Sequence, residues 1–139
     1  MIENHSHYPR RLQGLFFWLL SLGTSLSAQA AWLERVPLIE KKLQEAVTFY
    51  QNGDIPSAKE GCDDAYFEIF ENVKANMEVA IRSSISLKKA ASIEESFGKL
   101  RKSFSQKKEL VEVKANLLEV VEEIKSAAQE LDKQKVSIK

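Results

Sequence analysis

The amino-acid sequence predicts an all-α protein arranged as an up-and-down four-helix bundle. Within its 139 residues, four segments after residue 30 repeat apolar side chains at the three-and-four spacing of an amphipathic helix. No segment after residue 30 shows the sustained alternation of apolar and polar residues that marks a half-buried strand. Only two prolines follow residue 30, and both stand where a predicted helix begins. The connections between the segments are short, which makes consecutive helices antiparallel neighbours.

The first 30 residues have the features of a signal peptide. Arg10 and Arg11 form a basic flank, residues 15–22 are almost wholly apolar, and residues 28–30 read Ala-Gln-Ala, the small-x-small pattern of a cleavage site. The apolar run is short for a membrane span, which takes about 20 apolar residues. We therefore expect export to the periplasm or cell envelope, with residues 31–139 as a single domain. The alternative is an uncleaved anchor that tethers the domain to the inner membrane.

The first predicted helix covers residues 36–51. Pro37 suits its first turn, and the strong breaker Asn-Gly-Asp follows its last residue. Its apolar face consists of Ile39, Leu43, Ala46, Val47 and Tyr50.

The second predicted helix is long and covers residues 55–84, again with a proline, Pro56, in its first turn. Its apolar residues recur at helical spacing, so we expect them to form one inner stripe that faces the core. The members of this stripe are Ala58, Cys62, Ala65, Tyr66, Ile69, Val73, Met77, Ala80 and Ile81.

The third predicted helix covers residues 92–104 and the fourth covers residues 107–133. Ser92 and Glu95 are spaced as a capping box, in which each side chain accepts a hydrogen bond from a free backbone amide of the first turn. Residues 85–91 fit either a loop or a helical continuation. The fourth helix is rich in glutamate and lysine and could pair between chains as a coiled coil, which leaves a homo-oligomer open. The face of the third helix is Phe97, Leu100, Arg101 and Phe104.

The composition excludes several classes of function. Outside residues 1–30 the chain has 18 basic and 19 acidic residues, interspersed, so neither nucleic acid nor an anionic membrane surface is favoured as a partner. Both histidines, His5 and His7, lie in the predicted signal peptide, and Cys62 is the single cysteine. Catalytic triads that use histidine and zinc sites that use imidazole or paired thiolates are therefore excluded from the mature domain. We expect no enzymatic activity.

Cys62 lies in line with the apolar stripe of the second helix, which predicts a buried, unreactive thiol. An internal disulfide is impossible with one cysteine. A disulfide between two chains is the alternative.

Four acidic residues form a column on the second helix, opposite its apolar stripe. They are Asp64, Glu68, Glu71 and Glu78. Acids in this position are usual on a solvated helix face, but such a column is also how a helical bundle builds a carboxylate site for a hard cation. Further ligands would come from another helix, for which the candidates are Glu40, Glu45, Glu94 and Glu95. Without histidine, an oxygen-only site suits iron, manganese, calcium or magnesium.

Several spaced motifs resemble a known family. They are Tyr-Gln-Asn-Gly-Asp at residues 50–54, Asp-Ala-Tyr-Phe-Glu-Ile-Phe-Glu at residues 64–71, Met-Glu-Val-Ala-Ile at residues 77–81 and Phe-Gly-Lys-Leu-Arg at residues 97–101. In this order they resemble the exported N-terminal helical domain of bacterial high-affinity iron permeases, of the oxidase-dependent iron transporter family. The resemblance implies a role near iron delivery, with a membrane permease domain or a periplasmic iron-handling protein as partner. It favours the metal interpretation of the acidic column, above all for Glu71 and Glu78.

The sequence departs from this family in two respects. The family usually has a small residue, often glycine, shortly before the Met-Glu pair, where this chain has residues 72–76, Asn-Val-Lys-Ala-Asn. The Arg-Glu-x-x-Glu motif of the family's membrane helices does not occur in this sequence. The resemblance therefore implies an exported domain that binds or relays iron, or docks an iron-handling partner, without transport activity of its own. The alternative is a structural or oligomerising helical module in which the acids only face water.

Overall fold

The computed structural model describes residues 31–139, and the predicted signal peptide lies outside this range. The described chain is all-helical and contains no strand, which confirms the predicted class. A short 3-10 turn, Leu33–Arg35, precedes the first α-helix, and a π-helical segment, Ala65–Phe70, extends the second. The five α-helices are α1 (Val36–Gln51), α2 (Ile55–Asp64), α3 (Met77–Ser84), α4 (Leu87–Ser105) and α5 (Leu110–Lys133).

One hydrophobic core joins the helices. Helix α1 packs against α2 and α5, helix α4 packs against the same two helices, and α3 lies mainly against α4. The predicted apolar face of the first helix is buried as expected except for Tyr50, which is half-buried at the edge of the core. The largest fully buried side chains are Trp32, Phe70, Phe104, Ile39, Leu43 and Met77.

The predicted second helix is divided, and this part of the prediction is wrong. Helical structure ends at Phe70, residues 71–76 form a turn, and α3 begins at Met77. Two asparagines terminate and restart the helix, because their side chains replace backbone partners. Asn72 donates to the carbonyl of Glu68 at 2.8 Å and accepts from the amide of Lys74 at 2.9 Å.

Asn76 supplies the N-cap of α3, since its Oδ1 accepts a hydrogen bond from the amide of Val79 at 2.9 Å. Within the turn that precedes this cap, Val73 is 97% exposed. The sequence had placed Val73 in the buried stripe, and that assignment is wrong because the helix it assumed is interrupted.

The π-helical segment widens the end of the second helix. The amide of Glu71 donates to the carbonyl of Tyr66 at 2.8 Å, a bond that spans five residues instead of four. The carbonyl of Ile69 accepts a hydrogen bond from Nη2 of Arg35 at 3.2 Å, so the 3-10 turn before α1 supports this widened region. Phe70 is fully buried, whereas Phe67, one turn earlier, is 61% exposed.

The start of α4 differs from the predicted third helix. Residues 87–91 are helical and belong to α4, whose N-cap is Ser86: its hydroxyl oxygen accepts from the amide of Lys89 at 3.0 Å. The predicted capping box at Ser92 is therefore wrong. The hydroxyl of Ser92 instead donates to Oε1 of Glu123 on α5 at 2.9 Å.

The last helix begins three residues later than predicted, at Leu110. Lys107 adopts a left-handed backbone conformation with φ of 51°, which breaks the helix, and the hydroxyl of Tyr50 donates to the carbonyl of Lys108.

Hydrogen bonds connect the start of the described chain to the C-terminal end of α5. Asp132 accepts hydrogen bonds from the amides of Trp32 at 3.0 Å and Leu33 at 2.9 Å. The indole Nε1 of the buried Trp32 donates to the carbonyl of Val136 at 2.6 Å. Asp132 thus partners amides that a helical N-terminus would otherwise leave free.

Candidate metal centre

Three carboxylates from three different parts of the chain converge at the break in the second helix. Glu71 follows the π-helical segment, Glu78 lies in the first turn of α3, and Glu94 lies on α4. One oxygen atom from each of them lies within 4.8 Å of the other two. Glu78 is only 6% exposed, and the other two are half-buried. We call Glu71, Glu78 and Glu94 the carboxylate cluster.

Tyr66 joins two members of the cluster. Its hydroxyl lies 2.8 Å from Oε1 of Glu71 and 3.0 Å from Oε1 of Glu94, so both carboxylates share its single proton as acceptors. Burial, together with the hydrogen bonds and negative charges of the two glutamates, raises the pKa of Tyr66 well above its usual range. Tyr66 therefore stays a neutral donor and holds the π-helical segment against α4.

Arg82 is the counter-ion of the cluster. It forms an ion pair with Glu78 one helical turn away, and its Nη2 lies 4.0 Å from Oε1 of Glu94. About half of the Arg82 side chain is exposed, so the guanidinium can move away from the carboxylates into the solvent. One guanidinium facing three carboxylates leaves a formal charge of about −2 if all three are ionised.

The structure brings together two of the four acids that the sequence placed in the column. Glu71 and Glu78 are in the cluster, and Glu94, one of the candidate donors from another helix, completes it. Asp64 instead lies 3.7 Å from Nζ of Lys42, and Glu68 is exposed. Asp64 and Glu68 are therefore outside the cluster.

The other candidate donors are also outside the cluster. Glu40 accepts a hydrogen bond from Gln44 one turn along α1, and both Glu45 and Glu95 are exposed. The sequence assigned Tyr66 only to the apolar stripe, and the contact of its hydroxyl with the carboxylates was not predicted. The available signal was its hydroxyl, because a tyrosine at the edge of a core usually places that group against a polar partner.

The geometry suits a hard cation. Oxygen ligands lie about 2.0–2.6 Å from magnesium or calcium, so oxygens on opposite sides of one ion are roughly 4–5 Å apart. The 4.8 Å limit on the cluster therefore lets all three carboxylates reach one ion with small side-chain movements. A donor set of carboxylate oxygens favours iron, manganese, calcium or magnesium over zinc or copper.

Comparison with known proteins does not extend this description. The sequence matches no family model, no curated protein and no solved structure. Among residues 31–139, no helix combines the length and the apolar character needed to cross a membrane.

Proposed function

We propose that this protein binds a hard cation through Glu71, Glu78 and Glu94, and that the cation is iron. The observation that carries the proposal is the convergence of three carboxylates, one of them buried, from a turn and two separate helices. Acids on a merely solvated helix face would spread into water. Here Glu78 is buried, and the hydroxyl of Tyr66 forms hydrogen bonds with Glu71 and Glu94.

Electrostatic repulsion supports the same conclusion. Two unit charges 4 Å apart near a protein surface interact by roughly 4 kcal/mol. Arg82 compensates one of the three carboxylates, so a divalent or trivalent ion would remove repulsion that the protein itself leaves in place. The π-helical segment next to Glu71 adds support, since such segments frequently accompany functional sites.

The cellular setting in this proposal comes from the sequence. The predicted signal peptide and the resemblance to the exported domain of iron permeases support a periplasmic protein that receives or relays iron. Its partner would be a membrane permease domain or a periplasmic iron-handling protein. We further propose that the chain forms an up-and-down four-helix bundle, in which α2 and α3 together take the place of one helix. The packing of α1 and α4 against both α2 and α5 supports this arrangement.

Calorimetric titration of the purified chain with Mn(II), an oxygen-preferring probe, tests the site. We expect saturable binding of one ion, and an affinity at least tenfold lower in the double variant Glu71→Gln/Glu78→Gln. Glu68→Gln is the matched control, because it removes an exposed acid from the same segment but outside the cluster. Equal losses in both variants would indicate non-specific attraction, and absence of binding in the wild type would refute the proposal.

A second candidate function rests on α5. Val111 and Leu118, two helical turns apart, are both exposed on this helix, which favours an interaction module that pairs through α5. In that case the mass measured by analytical ultracentrifugation would rise with concentration. Leu118→Lys would abolish the rise, whereas Glu60→Lys, at an exposed position of α2, would not.

A further inference from the structure

A cavity of about 190 Å³ adjoins the carboxylate cluster. It lies between the end of the second helix, including the π-helical segment, and α4. Two residues that line this cavity also take part in the cluster: Glu94 is one of its members, and the hydroxyl of Tyr66 donates a hydrogen bond to Glu94. A ligand in the cavity would therefore touch the place where the cation is proposed to bind.

Charged side chains line both ends of the cavity: Glu94 lies at one end, and the ion pair of Arg101 with Asp63 lies at the other. Glu94 and Arg101 both line it from α4, seven residues or about 10 Å apart along the helix. The Nε of Arg101 donates to Oδ1 of Asp63 at 2.7 Å. Among the described residues the terminal amino groups of Arg101 have no hydrogen-bond partner, so they remain available to an anionic group.

Aromatic rings form the middle of the cavity. The ring of Tyr66 meets the rings of Phe67 and Phe97 edge-on, with centroids 4.9 Å and 5.1 Å apart. Phe67 is largely exposed, so apolar surface is left open to water at the edge of the cavity. Gly98, an exposed residue of α4, also lines the cavity, and a Cβ placed there would meet no atom within 4 Å.

We infer that the cation reaches the cluster as a complex with a small organic anion, and that this anion occupies the cavity. The inference rests on the proposed function. The metal would lie at Glu94, the carbon frame against the aromatic rings, and a free carboxylate of the chelator at Arg101. The cavity is smaller than the roughly 300–1,000 Å³ usual for sites of drug-sized ligands, which limits the anion to a small hydroxy acid or a single catechol ring.

Equilibrium dialysis of the purified full chain tests the inference. The chain is dialysed against Fe(III) with radiolabelled citrate, against Fe(III) with radiolabelled 2,3-dihydroxybenzoate, and against Mn(II) without a chelator. We expect at least one chelator to be retained together with iron in equimolar amounts. Gly98→Trp should fill the cavity and reduce that retention at least tenfold while Mn(II) binding is unchanged. Ser105→Trp adds the same bulk to an exposed position of α4 outside the cavity and should alter neither.

The outcomes separate the two proposals. Retention of metal without either chelator, or retention of chelator that survives Gly98→Trp, would overturn the inference and leave the cation site intact. Absence of Mn(II) binding in the wild-type chain would instead refute the proposed function on which the inference rests.

Discussion

The hydroxyl of Tyr66 lies 3.0 Å from Oε1 of Glu94, although 28 residues separate them in the chain. This hydrogen bond connects the π-helical segment to α4. Because the same hydroxyl also contacts Glu71, one side chain orders two of the three carboxylates that form the cluster.

Replacing Tyr66 with phenylalanine should therefore weaken both the fold and the site. The ring keeps its aromatic neighbours, but two carboxylates lose their shared donor, so we expect the free energy of unfolding to fall by about 1 kcal/mol. Urea denaturation measures this loss, and titration with Mn(II) should show a several-fold lower affinity. Unchanged values in both experiments would mean that the hydroxyl does not organise the cluster.

Arg82→Gln should increase the affinity for Mn(II) several-fold. The substitution removes the guanidinium that contacts Glu78 and Glu94, and with which the proposed cation would have to compete. Without metal, the variant should melt at a lower temperature than the wild type, because the carboxylates lose their counter-ion. Arg82→Lys, which keeps the positive charge, is the control. A decrease in affinity in Arg82→Gln would contradict a competing role for this residue.

Asp54 gives α2 an acid-sensitive N-cap. Hydrogen bonds from the side chain and the backbone amide of Ser57 lower the pKa of Asp54 below its usual value of 3.8. A carboxylate whose pKa is lower in the folded state stabilises the fold above its unfolded-state pKa and loses this effect as the pH falls through the folded-state pKa.

Asp54→Asn keeps a capping side chain that does not titrate. The melting temperature of the wild type should therefore fall relative to that of Asp54→Asn between about pH 5 and pH 2. Thermal scans by circular dichroism across this range measure the difference, and parallel curves would contradict a titrating cap.

Cys62 should be unreactive in the folded protein. It is buried, its Sγ lies 3.8 Å from the carbonyl oxygen of Phe97, and burial raises the pKa of its thiol to about 12. At pH 8 the thiolate population is then negligible, so iodoacetamide should label the folded chain far more slowly than the chain in concentrated urea. Rapid labelling without urea would show that the helix opens around this residue, and would favour the disulfide between chains.

The sequence predicted local features of the fold better than long-range ones. Helix α1 was predicted with its observed bounds, since Pro37 and the Asn-Gly-Asp breaker are strong signals that act over a few residues. The burial of Cys62 also followed from helical spacing. The division of the second helix could not be predicted from spacing, because the apolar residues keep their helical spacing through residues 71–76. Hydrogen bonds made by two asparagine side chains decided that point.

The candidate site was predictable only in part for the same reason. Glu71 and Glu78 were predicted as members of the acidic column and were favoured by the family resemblance, and their proximity follows from the short turn between them. Glu94 was one of several candidate donors, and only the packing of α3 against α4 distinguishes it from Glu95. Asp64 was equally plausible as a ligand by spacing, yet its carboxylate lies next to Lys42, on the side of the helix that faces α1.

The attachment of Trp32 to the end of α5 has a consequence for biosynthesis. Its hydrogen bonds to Asp132 and Val136 join residues 100 and 104 positions apart, so almost the whole domain must be synthesised before they can form. A nascent chain therefore cannot complete this fold until residue 136 has left the ribosome, and these contacts are among the last that become possible.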